Sequence, residues 1–105
     1  MHTIVIRLAP GKLKNPDLDL RYVVPDKIEK ATKGAITDNG FDYLPDNSMG
    51  IWMQTENARD SYPLIVKLFS KKKFLKNDLS QSAEIYISEN ECESIENCTR
   101  VYPEE

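Results

Sequence analysis

The chain has one histidine, two cysteines, four glycines and one tryptophan in 105 residues. Each scarcity removes a class of chemistry. The lone histidine is His2, so a Ser-His-Asp or Cys-His arrangement would have to recruit a residue next to a chain end, where rigid catalytic geometry is hard to hold. Zinc needs about four ligands, and neither CxxC nor HExxH occurs, so no metal and no cofactor is expected. Gly11, Gly34, Gly40 and Gly50 stand too far apart for a dinucleotide fingerprint or a phosphate loop. Apolar runs stop at three residues, as at 4–6 and 64–66, whereas a membrane helix needs roughly 20. The first residues carry no basic start, apolar stretch and small-residue cleavage site, which predicts a cytoplasmic protein. In that compartment Cys92 and Cys98 are expected as free thiols, although the sequence leaves their pairing open.

What is present is a globular composition, 40% apolar and 30% charged, at a length that suits one domain. The charge is polarised. Residues 1–83 hold 13 basic and 10 acidic side chains, while 84–105 hold seven glutamates against Arg100 alone. The acidic C-terminal segment, 89–105, is therefore either a solvated end or a docking surface for a basic partner.

Residues 3–8 are β-branched and end at Ala9-Pro10-Gly11, which predicts a strand with Ile4, Ile6 and Leu8 on one face. Leu18, Leu20, Tyr22 and Val24 alternate with polar residues, so 17–24 reads as a second strand, with a helix opened by Pro16 as the alternative. A helix is predicted from Pro25, with Ile28, Ala31, Thr32, Ala35 and Ile36 at helical spacing and Asn39-Gly40 as its stop. Residues 41–44 and 51–55 form the arms of a hairpin around Pro45-Asp46-Asn47-Ser48, and Asp42 and Asp46 are expected there as exposed turn carboxylates. A second helix spans 57–73, capped by Asn57, with Leu64, Ile65, Leu68, Phe69 and Leu75 as its buried face and lysines crowding its end. Residues 77–82 read as a loop, 83–88 as a strand with Ile85 and Ile87 inward, and 100–102 as a short edge strand.

Two amphipathic helices need one shared apolar surface. The fold expected is α+β: an antiparallel sheet of four to six strands with two helices on one face, a ferredoxin-like βαββαβ unit. Sheets of that type can bind RNA through exposed aromatics. Here the basic-Gly-aromatic run is missing, Gly50-Ile51-Trp52-Met53 stands in the hairpin, and the acidic end repels a phosphate backbone.

With no convergent catalytic groups, a non-catalytic protein binder is the expectation, and a small RNA-binding or ligand-sensing regulatory domain is the alternative. In size, in lacking catalytic residues and in its stretch Glu89-Asn90-Glu91-Cys92-Glu93-Ser94-Ile95-Glu96, the chain resembles the small bacterial immunity proteins of contact-dependent growth inhibition and related toxin systems. That resemblance, one of overall character, implies a cognate toxin with a basic surface, often a nuclease, blocked in a 1:1 complex. The partner-binding residues expected are Glu89, Glu91, Glu93 and Glu96 for charge, with Tyr86, Tyr102 and Trp52 as exposed aromatic anchors.

Overall fold

The computed structural model describes residues 1–103. Glu104 and Glu105, which close the expected acidic segment, lie outside the described residues. The protein is α+β, with one antiparallel sheet of five strands: β1 (His2–Leu8), β2 (Ile36–Tyr43), β3 (Met49–Thr55), β4 (Ala83–Ser88) and β5 (Thr99–Tyr102). The strand order is β2-β3-β1-β4-β5. Its first four strands follow the βαββαβ order, and β5 is an added edge strand beside β4.

Helices α1 (Leu20–Ala31) and α2 (Ala58–Lys71) cover one face of the sheet, and a short α3 (Leu79–Ser82) leads into β4. The core lies between those layers. Ile4, Ile6 and Leu8 of β1, Ile51 and Met53 of β3, and Ile85 and Ile87 of β4 meet Leu20, Val24 and Ile28 of α1 and Ile65 and Phe69 of α2. Leu64, expected inside, is 47% exposed.

The strand expected over 17–24 is a correction. Helix α1 begins at Leu20 and runs through Pro25. The alternating set splits by burial: Leu20 and Val24 are fully buried, whereas Leu18 and Tyr22 are 47% and 63% exposed. The spacing that matters is Leu20, Val24, Ile28, one residue per helical turn. Nor does the helix reach Asn39-Gly40. It ends at Thr32 with the amide of Lys33 on Lys30 O (3.4 Å) and that of Gly34 on Glu29 O (2.9 Å). Lys33 and Gly34 both have positive φ, so the end is a Schellman motif. Ile36 therefore opens β2 rather than closing a helix, and Gly40 sits in a bulge between Asp38 and Phe41.

Helix α2 starts as its sequence suggests. The Asn57 side chain accepts from the Asp60 amide at 3.2 Å and donates to its carboxylate at 3.0 Å. His2 takes part as well: its Nδ1 accepts the Ala58 amide at 3.0 Å, satisfying another free N–H of the first turn. At the other end of the helices, Asn77 is buried and joins two loops. It accepts the Asn15 amide (2.8 Å) and donates to the carbonyls of Asn15 (2.7 Å), Phe74 (3.1 Å) and Leu75 (3.2 Å).

Candidate functional site: an acidic strap across the open face of the sheet

Strand periodicity sends Thr3, Val5 and Arg7 to the face away from the helices, beside Gly50, Trp52 and Gln54 of β3 and Glu84, Tyr86 and Ser88 of β4. Thr3 and Val5 are nevertheless buried, at 2% and 0% exposure. The cover is the connection between β4 and β5. Residues 89–98 leave β4, cross the sheet and return to form β5. Thr3 Oγ1 donates to Asn90 O at 2.8 Å and accepts the Cys92 amide at 3.0 Å. Trp52 Nε1 then donates to Cys92 O at 3.0 Å. A 3-10 turn at Ile95–Asn97 brings the strap back.

The strap thus holds its main chain against β1 and β3 and leaves its carboxylates outside: Glu89, Glu91, Glu93 and Glu96 are all exposed. Open clefts flank it. One, of about 350 Å³, lies between the strap and the β2 edge and is lined by Asp42, Trp52, Cys92 and Glu93. The other, of about 390 Å³, is lined by Arg7, Asp46, Tyr86, Glu96 and Cys98. Asp42 and Asp46, expected merely as turn carboxylates, border these clefts, Asp42 with Glu93 at the first and Asp46, paired with Arg7, with Glu96 at the second.

Beneath the second cleft lies an ion cluster. Arg7 pairs with Asp46 and, at 2.6 Å, with Glu84. Lys12 and Arg100 each stand 3.9 Å from Glu84, and Tyr86 Oη donates to it at 2.9 Å. Burial works against the Glu84 carboxylate, but hydrogen bonds from Arg7 and Tyr86 and the charges of Arg7 and Lys12 bring its pKa below the usual glutamate range. Asp46 falls to about 2, held by Ser48, whose amide donates to its Oδ1 at 3.1 Å, and then by Arg7. Burial, then the Glu84 carboxylate, push the Tyr86 phenol up. Glu84 and Asp46 therefore stay ionised and Tyr86 stays neutral at neutral pH. The cluster fixes positions around the Glu84 carboxylate.

The aromatic residues expected as exposed anchors are each half-buried and engaged inside the protein. Trp52 lies under the strap, Tyr86 is tied to Glu84, and Tyr102 Oη donates to Ser80 O across the β5–α3 junction. The exposed aromatics lie elsewhere. Tyr22 and Tyr43 are 63% and 49% exposed. Arg21 stacks 4.6 Å from the Tyr22 ring, and Phe41 meets Tyr43 edge-on at 5.2 Å. Tyr22 escaped sequence reasoning because a strand reading of 17–24 put it on the face of Leu20.

Among the described residues no group of three or more His, Cys, Asp and Glu is placed to hold a metal ion, and no helix is long and apolar enough to cross a membrane. No protein-family model matches the chain, and no curated protein or solved structure is significantly similar to it.

Proposed function

We propose that this protein is a non-catalytic inhibitor of immunity type, which binds a cognate antibacterial toxin with a basic surface and blocks its active site. A nuclease is the favoured target, because a site built for phosphate accepts a row of carboxylates in its place. One observation carries the reading: the acidic segment is a strap anchored at Thr3 and Trp52, and its glutamates project from a fixed main chain. A flexible acidic tail would lose ordering entropy on binding, and an anchored one loses less of it. Glu91 and Glu93, on either side of the doubly anchored Cys92, are the side chains best placed to steer and hold a basic partner.

The same geometry disfavours the RNA-binding alternative. The sheet face on which such a domain would stack bases is occupied by residues 89–98, and the Trp52 indole N–H is already used. The ligand-sensing alternative has no specific observation behind it.

The test is capture of the tagged protein from its native host, with the products of neighbouring genes co-expressed. A stoichiometric basic partner whose lethal activity is abolished by the wild-type protein, and less so by E91K/E93K, supports the reading. Recovery of RNA or a metabolite in place of a protein ends it.

A further inference from the structure

We propose that Cys92 and Cys98 form a thiol–disulfide exchange site that closes the strap into a bridged loop. The two sulfurs converge on one acceptor. Cys92 Sγ lies 3.0 Å and Cys98 Sγ 3.7 Å from the Ser94 carbonyl oxygen. The turn at Ile95–Asn97 creates this approach: the amide of Asn97 also reaches Ser94 O, at 3.1 Å, and that of Cys98 reaches Ile95 O, at 3.0 Å. Both cysteines are free and half-buried, and each borders a cleft open to solvent, Cys92 beside Trp52 and Cys98 beside Tyr86. A small disulfide can therefore reach the pair from either side of the strap.

The thiols are not equivalent. Burial, and then the adjacent Cys92 sulfur, push the Cys98 thiol up to about 12, so it stays protonated. Cys92 is then the sulfur that reacts first, since the thiolate is the nucleophile. Its thiolate attacks one sulfur of a low-molecular-weight disulfide, forms a mixed disulfide and expels one thiolate. In the mixed disulfide Cys92 carries no charge, which leaves burial, the larger cause, as what slows the loss of the Cys98 proton. Cys98 gives its proton to solvent and attacks Cys92 Sγ, which expels the second thiolate and leaves a Cys92–Cys98 bond. The two protein thiols are oxidised, and the small disulfide is reduced to two thiols. Glu93 and Glu96 lie inside the bridged loop, so bridging fixes their spacing. That consequence rests on the inhibitor reading, whereas the exchange chemistry does not.

The experiment uses the full chain and glutathione disulfide, followed by intact mass and peptide mapping. The expected product is a monomer lighter by two hydrogens, cross-linked between Cys92 and Cys98 and restored by dithiothreitol. Cys98→Ser is expected to stop at a glutathione adduct on Cys92, and Cys92→Ser to react roughly tenfold more slowly or less still. Both serine variants are checked for intact fold by circular dichroism. A stable glutathione adduct on the wild type, an intermolecular dimer, or thiols that remain unmodified in the wild type would each overturn the proposal. None of these outcomes depends on partner binding, so failure here is separable from failure of the inhibitor reading.

Discussion

The rim of the Trp52 indole occupies the space that a side chain on Gly50 would need: a Cβ built on Gly50 would stand 2.5 Å from Trp52 Cζ3 and 3.0 Å from Cη2. The two residues share the open face of β3, and the ring cannot swing aside freely, because its Nε1 is hydrogen-bonded to Cys92 O at 3.0 Å. Glycine at position 50 is thus what lets the tryptophan lie down and reach the strap.

Gly50→Ala is therefore expected to displace the only indole of the chain and break its bond to the strap. Overpacking of this kind costs about 1–3 kcal/mol. The expected readouts are a lower melting temperature, a red shift of tryptophan emission and faster amide exchange at Cys92. Unchanged emission, with unchanged exchange at Cys92, would show that the ring does not depend on the glycine.

Asn77 is the second structural dependence. Its amide, 1% exposed, satisfies the Asn15 amide and the carbonyls of Asn15, Phe74 and Leu75. Asn77→Ala leaves the Asn15 amide without its acceptor, whereas the carbonyls of Asn15, Phe74 and Leu75 keep the Asp17 amide, the residue-77 amide and Asn15 Nδ2, so the cost is about 1–3 kcal/mol. Asn77→Asp keeps the acceptor but sets a carboxylate against three carbonyls, so it is expected to cost more than alanine in urea denaturation. A neutral alanine variant would contradict this account of the loop junction.

Acid should weaken the protein through the ion cluster. Glu84 and Asp46 both have folded pKa values below their ordinary ones, 4.5 and 3.8. Groups of this kind contribute stability that is complete above the unfolded pKa and is lost as pH falls through the folded one. The expected loss begins below about pH 5 and, for Asp46, continues to about 2. Glu84→Gln removes the central carboxylate and should flatten the acid limb of a stability–pH curve. An acid limb identical to the wild type would place the sensitivity elsewhere.

Much of the architecture was legible in local signals. The β-branched run before Pro10, the turn at 45–48, the Asn57 cap and the alternation of Ile85 and Ile87 each marked a real element. Residues 17–24 are ambiguous because apolar residues spaced by two, Leu18, Leu20, Tyr22 and Val24, fit a strand and also fit a helix in which only every second one is buried. Only the position of the sheet relative to Leu20, Val24 and Ile28 decides between these. Lys33-Gly34 carries the true helix stop, whereas Asn39-Gly40, the stronger dipeptide signal, serves a bulge. The strap was the least legible feature. The acid content of 89–98 was plain, yet its path depends on hydrogen bonds between Thr3 and Asn90 and between Trp52 and Cys92, separated by 87 and 40 positions in sequence. One hint was available: Val5, an apolar residue on the face opposite Ile4 and Ile6, called for a cover that the two helices could not provide.

The central claim is that the anchored glutamates of the strap drive encounter with a basic partner. The direct measurement is the association rate of the purified protein with the basic partner proposed for it, by stopped flow across a range of ionic strength, for wild type and E91K/E93K. The expected result is a rate about tenfold or more lower for the variant at low salt, converging with the wild type as salt screens the charges, with circular dichroism unchanged. Equal rates at every ionic strength, with the fold intact, would contradict it.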